Sequence, residues 1–292
     1  MSKRLLIIVF FLHSIRLCAQ SDSLHLSKEL DFLFYLIEQK QLDDFNYYGS
    51  QLMLNTSLKG TGLRDSVALV LADANNRFKD FKNAHLYYDE ISEASPFIYY
   101  ARFKSALFDI DEKKYDNAFA KAVSFNGVED NLIHELTTYE CSGIALLKRD
   151  FATYDSLSKD FLPSTGIIAT EYQKLSANYE LLRSTKKKSA FVAGCLSAVI
   201  PGLGKIYSGK KGQAFSAFMK VVPLGIIAFE NMERHGVKDA QFIIYASLFS
   251  LFYIGNIWGS ALSIQVAYQE KINEINHQIT VGLHIPVERL FE

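Results

Sequence analysis

From Ser23 to about Arg183, Leu, Phe, Tyr and Ala recur three and four residues apart. That is the period of one face of an α-helix, not the alternation of a strand. Only Pro96 and Pro163 interrupt the stretch, which predicts a run of helices joined by short turns. The pattern then changes. Ser189 to Gly204 is sixteen residues without a charge, Gln213 to Phe229 is apolar apart from Lys220 and carries Pro223, and Ala240 to Gln269 is thirty residues without a charge. A membrane-crossing helix needs roughly 20 apolar residues, so the last run predicts one. The first two predict a tight pair, the first of them shortened by Pro201-Gly202. His277 to Ile285 alternates apolar and polar residues before Pro286 and predicts a short strand.

The helical stretch repeats. Phe81-Lys-Asn-Ala84 is matched further along by Tyr115-Asp-Asn-Ala118. Ala72 stands twelve residues before Ala84, and Ala106 twelve before Ala118. Tyr88 follows Ala84 by four residues, and Pro96 follows it by twelve, placed to close a helix. This spacing resembles the tetratricopeptide repeat, a helix pair of about 34 residues. The resemblance implies that the four alanines let paired helices approach closely, while the aromatic between them fills the groove where they cross. It is best over residues 65–130. Cys141 to Leu157, with Phe151 as its aromatic, reads as a third unit displaced by two residues, and Leu30 to Leu54, with Leu42 and Phe45, as a degenerate first one. Such a stack offers a concave surface to an extended peptide or a partner helix.

The string Pro201-Gly202-Leu-Gly204-Lys-Ile-Tyr207-Ser-Gly209-Lys-Lys-Gly212 joins the first two apolar runs. It resembles the junction of a small two-helix membrane domain of bacterial proteins. Tyr253-Ile-Gly255-Asn256-Ile-Trp258-Gly259-Ser260 resembles the closing segment of an exported variant of that module. The likeness spans residues 189–268 and implies location and architecture rather than chemistry. On physical grounds, Gly202, Gly204, Gly209 and Gly212 permit tight turns. Gly255 and Gly259 form a GxxxG at which two helix backbones are expected to meet, with Asn256 hydrogen-bonding across the contact. Lys220 in mid-span costs about 3 kcal/mol unless it snorkels or pairs. Lys220 and Asn256 read either as a polar site for lipid or substrate, or as packing and interface residues.

Composition adds the boundary. Charged side chains are more than twice as dense between residues 21 and 188 as between 189 and 269. Two solvents are implied, with a border near Lys186–Ser189. The net charge of −1 excludes a nucleic-acid binder working by bulk positive charge. The start, Lys3-Arg4 followed by Leu5 to Leu12 and then Ala19, has the form of a secretory signal peptide, with cleavage expected after Ala19 and an uncleaved anchor as the alternative. Cys141 and Cys195 occupy such different settings that no disulfide framework is expected, and both read as small buried apolar residues.

Export places residues 20–185 outside the cytoplasm. Three crossings then put Lys205, Lys210, Lys211 and the tail inside, but leave Lys186-Lys187-Lys188 against the positive-inside rule. Either that triplet meets anionic headgroups or the first apolar segment is re-entrant. The seven histidines show no metal-ligand spacing, and no nucleophile elbow or phosphate loop is present, so neither an enzyme nor a cofactor is expected. The sequence therefore predicts an all-α chain. It comprises a signal peptide (1–19), a tetratricopeptide-like helical-repeat solenoid (20–185), a membrane module of two to three C-terminal transmembrane helices (186–269) and a short tail (270–292). Its expected place is the inner membrane, with the repeats on the periplasmic side. There it would act as a scaffold or adaptor whose partners are other envelope proteins or peptides and the bilayer; the alternative is that the membrane module handles lipid or assists membrane-protein insertion, with the repeats as a regulatory sensor.

Overall fold

The computed structural model describes residues 22–54, 62–125 and 129–291, with side chains from residue 28 onward. The signal-peptide segment lies outside the described residues. Every regular element among the described residues is an α-helix: α1 (Asp22–Glu38), α2 (Leu42–Leu54), α3 (Gly62–Arg77), α4 (Phe81–Asp89), α5 (Ile98–Asp111), α6 (Tyr115–Val123), α7 (Asn131–Lys148), α8 (Phe151–Ser158), α9 (Gly166–Ser184), α10 (Ala190–Val199), α11 (Leu203–Tyr207), α12 (Lys211–His235) and α13 (Ala240–Leu290). The chain divides into two compact units, one running to Leu175 and taking in Ile279–Glu292, the other Ser176–Gln278. The expected border at Lys186–Ser189 thus falls inside the second unit, and the tail belongs to the first.

Four turns of the first unit share one geometry. Lys40, Lys79, Lys113 and Arg149 adopt φ of 58°, 65°, 61° and 65°, the only positive values at non-glycine residues among those described. After each, the next N–H donates to the carbonyl five residues back: Gln41 to Leu36, Asp80 to Asn75, Lys114 to Asp109 and Asp150 to Ala145, at 2.7–3.0 Å. This ends one helix in a Schellman motif and starts the next. Asp80 and Asp150 then accept from the N–H groups of Asn83 and Thr153, capping α4 and α8. The turns pair α1 with α2, α3 with α4, α5 with α6 and α7 with α8.

Counting from these anchors explains the alanines. Seven residues before them stand Leu33, Ala72, Ala106 and Ser142; five after stand Phe45, Ala84, Ala118 and Tyr154. None of the eight is more than 3% exposed. Small residues meet at both positions only in the two middle pairs. Anchors Lys113 and Arg149 lie two residues further apart than Lys79 and Lys113, and α7, with 18 residues against 14 in α5, accommodates the difference. Asn75, fully buried, pairs its amide reciprocally with Asn46 at 2.7 and 2.9 Å and donates to the Leu71 carbonyl.

Two residues behave otherwise than expected. Phe81 is half exposed, its ring 5.8 Å from that of Phe108 on α5, so it covers the next pair rather than filling its own crossing. Pro96 closes no helix. α4 already ends at Asp89, and Pro96 stands in the turn before α5, where its fixed φ suits helix entry.

In the second unit α10 has ten residues and spans about 15 Å, half a bilayer core. Among the described residues only α12 and α13 are long and apolar enough to cross a membrane. Phe215, Ile226, Phe229, Ile244, Leu251, Trp258 and Leu262 are each more than half exposed along these two helices, an outward apolar surface that suits hydrocarbon and not water. Between α10 and α11 the chain breaks at Pro201-Gly202. Gly202 has φ +89°, and a Cβ on it or on Gly204 would collide with the backbone of Ala214 or Ala193. The break is tied down by side chains: Gly204 N–H donates to Ser197 Oγ (2.9 Å), Ser197 Oγ to Ser260 Oγ (2.7 Å) and Tyr253 OH to the Ala198 carbonyl (2.5 Å). These bonds satisfy polar groups that lipid cannot.

The predicted strand is helix. α13 runs unbroken through Pro286 to Leu290, 51 residues and roughly 75 Å, more than twice a bilayer core of about 30 Å. Ile275, Ile279, Leu283 and Val287, spaced by four, are its buried stripe.

Candidate functional site

Within the first unit, the end of α13 packs on the first helices of successive pairs. Leu283 fills the space left by the missing side chain of Gly143 on α7, and Gly282 lies beside Tyr139 and Glu171. Lys104 of α5, only 3% exposed, pairs with Glu288. His284 Nε2 is 3.3 Å from an Asp111 oxygen, and the Phe291 ring lies tilted against those of Tyr100 and Phe103, with centroids at 5.4 and 6.3 Å. The chain's own C-terminal residues thus cover part of α5, α7 and α9.

Contact between Lys104 and Glu288 fixes a topological fact. Both residues lie on one side of any membrane the chain crosses, so the number of crossings between them is even. The three-crossing reading put repeats and tail on opposite sides, whereas its alternative, a first apolar segment that does not cross, agrees with this contact. α10 is too short to span, and α12 and α13 are two described helices long and apolar enough to cross.

A polar cluster that sequence reading missed lies between α4, α5 and α6. The Lys121 ammonium is 2.8 Å from Asp109, 3.0 Å from Asp89, 3.0 Å from His85 Nε2 and 2.5 Å from Ser105 Oγ. Burial opposes ionisation of Asp89, but the Ser105 hydroxyl and the Lys121 ammonium outweigh it and hold the carboxyl below its ordinary range. Donor atoms of His85, Asp109 and Glu112 come within 4.8 Å of one another, close enough to share a metal ion. The Lys121 ammonium already lies against two of the three, His85 and Asp109, and Glu112 is paired with Lys114. The cluster's members come from three different helices and are widely separated along the chain, so no local motif announces them.

The second unit holds a cleft of about 490 Å³ between α11, α12 and α13. Lys205 and Lys220 line it with Gln213, Ser216 and Asn256, over an apolar wall that includes Leu251 and Phe252. Neither ammonium is hydrogen-bonded to, or ion-paired with, any described residue. Asn256 is 5% exposed; its Nδ2 donates to the Ser197 carbonyl at 3.3 Å, and its Oδ1 is buried without a partner among the described residues. The cleft exists because side chains are missing. Gly212 and Gly255 both border it, and a Cβ on either would meet nothing within 4 Å.

Among the described residues no helix backbone meets the GxxxG: Gly255 faces open space, and Gly259 faces the side chain of Lys205. Of the other motif residues, Pro201, Gly202 and Gly204 form the helix break and Gly209, φ +91°, the turn into α12. Tyr207 closes α11, its carbonyl accepting from Lys188 Nζ, which also lies over its ring. Asn256 and Lys220 do come together, and Lys205, which the sequence marked only as a loop charge, joins them. Cys141 is buried, and burial together with Glu140 pushes its thiol up to about 12, whereas Cys195 is exposed, against expectation. Comparison of the chain with protein-family models, with curated proteins and with solved structures finds no match.

Proposed function

We propose that this chain is a membrane-anchored helical-repeat protein of the bacterial cell envelope, acting as a protein–protein scaffold or adaptor. The observation that carries the reading is one chain in which four stacked helix pairs share a unit with the end of a helix whose other half is long and apolar enough to cross a bilayer. In this reading α12 and α13 cross the inner membrane. The repeats and the tail occupy the periplasmic side together, and the 230–239 turn lies on the other. Lys186, Lys187 and Lys188 then stand at the headgroups of the repeat side. Because its own tail occupies α5 and α7, the partner surface falls on the first pair, where Phe32, Tyr35 and Tyr47 are 42–70% exposed.

The test is affinity isolation of the full chain from detergent-solubilised membranes. Tyr35→Asp with Tyr47→Asp is expected to lose the partners while leaving the chain in the membrane fraction. Partners retained by this variant, or bound equally by residues 186–292 alone, contradict the scaffold reading.

A further inference from the structure

The structure points to a second role for the membrane module: we propose that the Lys205–Lys220–Asn256 cleft binds the phosphate diester of an anionic phospholipid whose headgroup carries a hydroxyl. The inference rests on the membrane placement of α12 and α13 proposed above. It stands on three observations that share no residue.

Two ammonium groups, Lys205 and Lys220, open into one cleft without a carboxylate between them, while the neighbouring Lys210 is paired with Glu270 at 2.9 Å. Like charges brought together in a partly dehydrated cleft repel, and an uncompensated lysine on a membrane helix is costly. A phosphate seated between them removes both penalties and accepts charge-assisted hydrogen bonds. Next, Asn256 Oδ1 is a buried acceptor without a donor among the described residues. Such a group calls for an N–H or O–H, and a glycerol hydroxyl supplies it. An ethanolamine or choline headgroup brings a cation of its own toward the two lysines. The third observation is the apolar rim: Leu251 and Phe252 are 67% and 43% exposed at its edge, a surface for acyl chains. Gly212 and Gly255 keep the entrance open.

The ligand chemistry is therefore a phosphate with an adjoining hydroxyl, and the acyl wall assigns it to a lipid rather than to a free phosphate ester. The probe is phosphatidylglycerol. The full chain is reconstituted in nanodiscs containing equal phosphatidylglycerol and phosphatidylcholine, extracted gently, and the lipid retained per chain is counted by native mass spectrometry. Wild type is expected to retain phosphatidylglycerol over phosphatidylcholine by about tenfold. Lys205→Met with Lys220→Met brings the ratio to near one, Lys205→Arg with Lys220→Arg keeps it, and Lys210→Met leaves it unchanged.

Equal retention of both lipids by wild type overturns the proposal without recourse to any variant, as does full retention by the double methionine variant. Displacement of the lipid by millimolar glycerol phosphate or inorganic phosphate overturns the lipid assignment. A chain that fails to enter nanodiscs contradicts the membrane placement itself, a different outcome from entry without lipid preference.

Discussion

Leu283, near the end of α13, sits over the bare Cα of Gly143 in α7, with its Cγ 3.0 Å from where a Cβ would stand. Leu283 is fully buried there, although nearly half the chain separates the two residues. The contact holds the tail in the repeat unit. Gly143→Val is expected to destabilise that unit by about 2 kcal/mol through overpacking, and Leu283→Ala by about 3 kcal/mol through the cavity it leaves. In the double variant Gly143→Val/Leu283→Ala the losses are less than additive, because the smaller partner makes room. Chemical denaturation of the four proteins in detergent checks this.

Lys121 is the counter-charge of a buried carboxylate. Asp109 is 2% exposed, and removing the ammonium leaves it uncompensated. Lys121→Met is expected to cost about 3 kcal/mol. Replacing Asp109 by Asn in the same chain recovers part of the loss, read as a rise in melting temperature.

Acid tests a different carboxylate. Glu135 of α7 accepts from the N–H groups of Ser164 and Thr165 and from the Ser164 hydroxyl, capping α9 from outside the helix. Burial works against its ionisation, but the hydroxyl and the two N–H groups bring it down to about 2, from about 4.3 in an unfolded chain. A depressed carboxylate stabilises the fold above the unfolded value, and that contribution is lost as pH falls from about 4 toward 2. Glu135→Gln is expected to cost about 2 kcal/mol at pH 7 and to flatten the pH dependence in this window, measured by denaturant titration at successive pH values.

Glu140 has the opposite sign. It is 1% exposed, neither oxygen has a hydrogen-bond partner among the described residues, and burial raises its carboxyl well above the ordinary range. A raised carboxyl weakens folding at pH above its unfolded value and not below it. Glu140→Met is expected to stabilise the repeat unit by about 2 kcal/mol at pH 7, with a smaller gain at pH 4. A loss of stability at pH 7 would show that this carboxyl has a partner.

The sequence was legible where one residue fixes one spacing. Ala72, Ala84, Ala106 and Ala118 mark two helix crossings because only small residues fit there, and all four are buried. The tail was misread for a reason of arithmetic. Ile279, Leu283 and Val287 recur every four residues, which satisfies a two-residue alternation as well as a helical face. Gly255 and Gly259 have the spacing of a helix contact, but identity alone does not say whether a missing side chain admits a neighbour or leaves a cleft. The clustering of His85, Asp109 and Lys121 depends on how helix pairs stack, which no local pattern encodes.

The central claim is that the repeats and the tail share one side of the membrane, with two crossings between them. Single cysteines at Ser184, Gln278 and Lys238, in a chain with Cys18, Cys141 and Cys195 replaced by serine, test this. A membrane-impermeant maleimide is applied to intact and to opened cells. Ser184→Cys and Gln278→Cys are predicted to react from the same face and Lys238→Cys only from the other. Reaction of Ser184→Cys and Gln278→Cys from opposite faces would contradict the account.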